Sequence, residues 1–428
     1  MINVNLVFIF IAAVAFLGFI LNSLFDKIKI TSILPLMLIG LVIGPVFHLV
    51  DSNPGSVIAD LSPYISAIAI AFILFDVGIN LNPLNMKKVF AKASAFMLGV
   101  GVTTGIALSI IAFFALHWTL LEAFMFGFAL SGPSSIIVPT LMKVIRAPDE
   151  LKTTLLFESV SSDTLELIIP VILLSVIVAA NITAVDVVGL VISTIFGSII
   201  AGAISALFWL FVLSRYKNYS KAYSWMLTIS MVLATYGISQ VLGMSGLITV
   251  FVFGILFTSI GSIKHISSIT HEPTSWEKYL SMPEDVEHIR SYQKEITLFT
   301  STFFFVYIGL LFSISNATIS ALVLALMLSF IIMLVRLFFA PTLNRFMSDN
   351  SVDRAQQQKL VYYNVARGLS PSIVATLPLA AGIIIPGFLD EIFMVILFTN
   401  VLSTAGIFLT YKYAAHGQGV KAQYQNQP

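Results

Sequence analysis

Ser131-Gly132-Pro133-Ser134-Ser135-Ile136-Ile137-Val138 and Gly368-Leu369-Ser370-Pro371-Ser372-Ile373-Val374 each set a helix breaker among small polar residues inside a long apolar run. One such break reads as a kink, since proline and glycine are frequent in membrane helices. Two similar breaks read differently, because unwound backbone in hydrocarbon is kept only where it lines a cavity or coordinates something. Superposing Pro133 on Pro371 also lays the third span on the tenth, the fourth on the eleventh and the sixth on the thirteenth. An offset of seven spans is odd, so the two copies enter the membrane in opposite directions. Inverted repeats with matching discontinuous helices are the pattern of secondary transporters, with the ion site near the midplane where the breaks meet.

The composition demands lipid as the solvent. The chain has 428 residues, 58% hydrophobic and 10% charged, with a mean hydropathy of +0.98, whereas soluble chains carry roughly a quarter charged residues. Spans of the required length of about 20 residues are expected near 4–24, 30–50, 60–82, 92–117, 120–145, 152–179, 184–214, 221–241, 244–262, 293–314, 317–346, 358–384 and 388–412. The runs are too long and continuous for a membrane β-barrel. The expected fold is therefore all-α: a polytopic membrane protein of about thirteen helices, with an inverted repeat and two discontinuous crossing helices. Residues 1–428 are expected to form a single transporter domain, with a first half over 1–179, a linking helix over 184–214, a second half over 221–412 and a tail over 413–428. The first run, Val4 to Leu24, lacks a basic flank and a small-residue cleavage site, and reads as a retained span.

Of the 22 lysines and arginines, all but Arg336 and Arg367 fall in loops after odd-numbered spans or in the tail. Loops after even-numbered spans carry acids instead, among them Asp51, Asp186, Asp390 and Glu391. Basic loops stay in the cytoplasm. The expected placement is thus multi-pass in the cell membrane, N-terminus outside and C-terminus cytoplasmic. A net charge of +1 argues against a nucleic-acid partner, and the absence of cysteine removes disulfides and thiolate chemistry. His265, His271 and His288, in the polar stretch 263–292, read as solvated residues.

Six ionisable residues lie deep in the expected spans, away from their ends: Asp76, Glu158, Asp163, Glu166, Arg336 and Arg367. Each costs about 2.5 to 3.5 kcal/mol to insert and needs a partner or a function. Along Phe157-Glu158-Ser159-Val160-Ser161-Ser162-Asp163-Thr164-Leu165-Glu166, the residues Glu158, Ser159, Ser162, Asp163 and Glu166 fall within an arc of roughly 140°. Two arginines can pair with two of the four carboxylates. A carboxylate left over in a low-dielectric site is driven to hold a proton unless another cation replaces it. Hydroxyls, carboxylates and unwound carbonyls suit a hard monovalent cation. The implied function is exchange of a monovalent cation for protons, with no cofactor beyond the transported ions. A sodium-coupled symporter of an organic anion is the alternative on the same kind of repeat. An enzyme is not expected: there is no His-Glu-x-x-His run, no paired Gly-Asp motif, and no histidine near the broken helices.

These residues resemble the monovalent cation:proton antiporters, and in particular the NhaP-type sodium/proton antiporters of archaea and bacteria. The resemblance covers nearly the whole chain. It is carried by Glu158-Ser159 with Asp163, by Ile73-Leu74-Phe75-Asp76-Val77-Gly78, by Leu334-Val335-Arg336 with Pro341, and by Ala366-Arg367-Gly368 with Pro371-Ser372. It implies that Asp163 binds the ion and the proton, that Ser159 gives Na+ an oxygen, and that Glu158 pairs with Arg336. It also implies a homodimer serving pH homeostasis. Electrogenic relatives have two adjacent aspartates and a lysine where this chain has Ser162-Asp163 and Arg336, so the resemblance implies electroneutral exchange; arginine, unlike lysine, does not release its proton. Two departures stand out: Ser162 replaces the family's asparagine, and Gly132-Pro133 replaces its threonine-aspartate. We hypothesise that Glu166 substitutes for the missing carboxylate, and Ser134 with Ser135 for the missing hydroxyl. Selectivity among Na+, Li+ and K+ is left open.

Overall fold

A computed structural model of the chain describes residues 12–21, 33–47, 57–80, 90–134, 138, 149–178, 184–215, 224–267, 283–346 and 354–425. Among them all long elements are helices: α1 (Ala12–Leu21), α2 (Ile33–Leu41), α3 (Val57–Asn80), α4 (Phe90–Leu116), α5 (Leu120–Ala129), α6 (Asp149–Val178), α7 (Ala184–Arg215), α8 (Ser224–Val241), α9 (Gly246–Ser267), α10 (Pro283–Leu311), α11 (Ile319–Phe346), α12 (Arg354–Tyr363), α13 (Leu369–Ala380) and α14 (Phe388–Gln425). Among the described residues, six stretches are long and apolar enough to cross a membrane: Ala91–Leu116, Thr154–Val178, Phe196–Leu213, Ile289–Leu311, Ile319–Leu343 and Phe388–Gly406. Seven shorter apolar helices, among them Leu120–Ala129 and Leu369–Ala380, each fall within one of the other expected spans.

Two helices run far past the ends given by the hydropathy reading. Helix α10 begins at Pro283, so His288 lies on a helix; a proline at the first position followed by Glu284 and Asp285 is a helix-starting composition that hydropathy ignores. Helix α14 continues to Gln425, because its polar tail is rich in alanine, lysine and glutamine, all strong helix formers.

The helices gather into two compact units that do not follow the sequence halves. The first comprises Met1–Asp60, Met86–Val178 and Phe305–Pro428, the second Leu61–Asn85 and Ala179–Phe304. In the first unit α6 packs against α4, α5 and α13, while α11 packs against α4, α12 and α14. Gly40 of α2 meets Gly309 at the end of α10 so closely that neither has room for a β-carbon, the small-residue contact that lets membrane helices approach. In the second unit α9 packs against α7 and α8. Phe75 of α3 lies against Phe253 and Phe257 of α9, with ring centroids 5.1 and 6.3 Å apart. Outward rows of Phe196, Ile200, Ile204 and Phe208 on α7, and of Phe330, Leu334, Leu337 and Phe338 on α11, are exposed, as helices solvated by lipid require.

Candidate functional site

Helix α5 starts at a capping box. The Thr119 amide donates to Glu122 Oε2 at 2.8 Å, and the Glu122 amide donates to Thr119 Oγ1 at 3.4 Å. It stops after Ala129, and Leu130 to Ser134 are not helical. Pro133 has no N–H to continue the ladder. The second break covers Asn364 to Gly368, between α12 and α13. Pro371, expected to lie within the break, sits instead in the first turn of α13, where a proline has no intrahelical donor to lose.

The two breaks touch. The Ser134 amide donates to the Ala366 carbonyl at 2.9 Å, and Arg367 Nε donates to the Leu130 carbonyl at 2.8 Å. A guanidinium thereby sits at the carbonyl end of α5, where a positive charge is favoured. Neighbouring side chains satisfy further carbonyls: Asn400 Nδ2 donates to Arg367 at 2.7 Å, Ser403 Oγ to Tyr363 at 2.7 Å and Arg336 Nη1 to Val361 at 3.2 Å. The unwound residues are thus stabilised by tertiary bonds, as buried backbone polar groups must be.

Helix α6 brings its polar face to this crossing. Glu158, Ser159, Ser162, Asp163, Glu166, Arg336, Arg367 and Ser370 are each at most 4% exposed. Ser370 Oγ in the first turn of α13 donates to Asp163 Oδ1 at 2.7 Å. Arg336 pairs with Glu158. The Gly132 amide donates to Glu166, and Ser162 Oγ donates to the Ser159 carbonyl at 3.0 Å and the Pro133 carbonyl at 3.4 Å. Ser159 Oγ donates to Leu156 on its own helix at 3.0 Å. At Gly132 a β-carbon would overlap Ser162 and Glu166, so only glycine permits this approach of α5's end to α6. Asp163 and Glu158 lie within Coulombic reach of Glu166, and all three carboxylates within reach of Arg367.

Residues 11–412 match the model of the transmembrane sodium/hydrogen exchanger family. The chain belongs to this family. The sodium proton antiporter MjNhaP1 of Methanocaldococcus jannaschii at pH 8 shares its fold, with a TM-score of 0.71 at 18% identity over 96% of this chain and 97% of that one. An electron-microscopy structure of the same antiporter gives a TM-score of 0.68 at 18% identity over the full length of both chains. YbaL of Escherichia coli (strain K12), which bears the name of a cation/proton antiporter, is 29% identical over 127 residues; that stretch is 28% of this chain and only 21% of YbaL.

In this member of the family, then, the folded chain brings Glu158, Ser159, Ser162, Asp163, Glu166, Gly132, Pro133, Ser134, Ser370, Arg336 and Arg367 into one unit. Ser135 lies outside the described residues, as does the side chain of Thr164. Asp76 belongs to the second unit, where Asn80 Nδ2 donates to its Oδ1 at 3.1 Å and Lys294 and Arg290 lie within Coulombic reach. The sequence reading missed Asn364, Asn400 and Ser403. An asparagine in the middle of an apolar span was the available signal for Asn400. Among the described residues, no three His, Cys, Asp or Glu side chains form a group fit to hold a metal ion; an oxygen site for a monovalent cargo ion does not need one.

Ser370→Ala tests the link between α13 and Asp163. A hydrogen bond to a charged group is worth about 1.5–3 kcal/mol, and this one favours the ionised carboxylate. If Na+ and the proton share Asp163, the proton competes better without it: the apparent KM for Na+ measured at neutral pH is expected to rise about tenfold, and the pH below which that KM climbs is expected to move upward.

Proposed function

We propose that this family member exchanges one Na+ for one proton at Asp163, by an alternating-access cycle in which the two ions occupy the same carboxylate in turn. One observation carries the reading: three buried carboxylates, Glu158, Asp163 and Glu166, face two buried guanidiniums, Arg336 and Arg367. With all five ionised the cluster holds one uncompensated negative charge, which a single monovalent cation or a single proton neutralises. Such a site is electroneutral in exchange. Ser159, Ser162, Ser370 and the carbonyls of the breaks at Gly132, Pro133 and Ser134 supply the oxygens around the ion, and Glu158 with Arg336 holds α6 against α11.

The chain as a whole works as one transporter, oriented by its basic loops with the N-terminus outside and the C-terminus in the cytoplasm of the cell whose plasma membrane it spans. It acts as a homodimer, an assembly that cross-linking in native membranes would display as a band of twice the mass. The decisive assay is proton flux in proteoliposomes driven by a Na+ gradient with no organic solute present. Proton movement that follows Na+, with K+ and Li+ tested in parallel and no dependence on membrane potential, is the expected result. A flux that appears only when an organic anion is added would establish the symporter instead.

A further inference from the structure

We infer that Glu166 is a positioning residue that sets the pH window of exchange: it offsets Arg367, so that this guanidinium does not cancel the charge of Asp163. The inference rests on Asp163 being the exchange site. Glu166 and Arg367 hold the same short break from two sides, Glu166 accepting from the Gly132 amide and Arg367 donating to the Leu130 carbonyl. Arg367 also donates to the Val365 carbonyl at 3.2 Å, so its position is fixed by backbone. Its charge therefore remains beside Asp163 whether or not anything balances it. Glu166 is 1% exposed, and its Oε2 is buried with no hydrogen-bond partner. Its remaining interactions are electrostatic, with Arg367, Asp163 and Glu158.

Among the described residues of the elements packed against α6, no other charge can take over this balance. On α6 itself the neighbours are Glu158 and Asp163. From α11 comes Arg336, already on Glu158. From the second break comes Arg367, while α13 contributes no charged residue. Helix α5 carries only Glu122, at its capping end, and α4 only Lys92, in its first turn. If the carboxylate of Glu166 is neutralised, the ionised cluster loses its single excess negative charge. Arg367 then opposes cation and proton alike at Asp163. Both bind more weakly, so the proton releases its hold at lower pH.

Glu166→Gln separates this role from simple packing, because the amide oxygen can still accept from Gly132. With Na+-driven proton flux in proteoliposomes as readout, the pH below which the apparent Na+ KM climbs is expected to fall by about one unit, and the KM at alkaline pH to rise about tenfold. Glu166→Asp keeps the charge and is expected to leave the pH position at the wild-type value even if the maximal rate drops. Arg367→Gln placed in the Glu166→Gln background restores the charge count and is expected to move the profile back toward wild type. An unmoved profile in Glu166→Gln, or an equal displacement in Glu166→Asp, overturns the inference. Asp163→Asn run alongside separates the two failures: if it still couples Na+ to protons, the exchange site itself is misassigned, whereas a dead Asp163→Asn with an unmoved Glu166→Gln removes only the role given to Glu166.

Discussion

Asp163→Asn is expected to abolish Na+-driven proton flux while leaving the protein folded. Asparagine has the same shape, and its Oδ1 can still accept from the Ser370 hydroxyl that Asp163 engages at 2.7 Å. The helix contacts of α6 are therefore preserved. What is lost is the charge: at about 4 Å and an effective dielectric of about 20, two unit charges attract by about 4 kcal/mol, roughly a thousandfold in ion affinity. The amide also has no proton to exchange. Flux at background level together with a melting temperature near wild type is the expected pair of results. Asp163→Glu, which keeps a carboxylate, is expected to retain coupling at a reduced rate. Undiminished exchange by the asparagine variant would remove the basis of the proposed mechanism.

The largest expected loss of stability comes from Arg336→Met. Arg336 is fully buried, pairs with Glu158 and donates from Nη1 to the Val361 carbonyl at 3.2 Å. Removing one partner of a buried ion pair strands the other charge and costs about 3–5 kcal/mol. The variant is expected to melt well below wild type in detergent. Glu158→Leu combined with Arg336→Met is expected to recover much of that loss, since replacing both partners by apolar groups leaves no buried charge to solvate. A double variant no more stable than Arg336→Met alone would show that the pair contributes through more than charge compensation. If both results hold, the carboxylates of α6 have separate roles, transport for Asp163 and assembly for Glu158.

Much of the candidate site's composition could be read before any coordinates. The arc of Glu158, Ser159, Ser162, Asp163 and Glu166 follows from helical spacing alone, and the folded chain buries that arc as a unit. The two breaks were visible as glycine and proline among serines. Their location was less so: the unwound residues at Asn364 to Gly368 lie before Pro371, because a proline can begin a helix as well as end one and the sequence does not say which. Asn400 and Ser403 illustrate a different limit. They satisfy the carbonyls of Arg367 and Tyr363 from another helix, and nothing in their local spacing points to a segment more than thirty residues earlier.

The amino-acid sequence by itself determined the solvent, the helical class, the family resemblance and the buried charges Glu158, Asp163, Glu166, Arg336 and Arg367, though not the burial of Asp390 and Glu391, because hydropathy, helical periodicity and the cost of inserting an ion are local properties of the chain. Only the tertiary structure decided who faces whom: Ser370 on Asp163, the Gly132 amide on Glu166, and Arg367 on the carbonyl end of α5. These contacts join residues far apart in the chain, and they exist because unwound backbone buried away from water must find partners wherever the packing of other helices provides them.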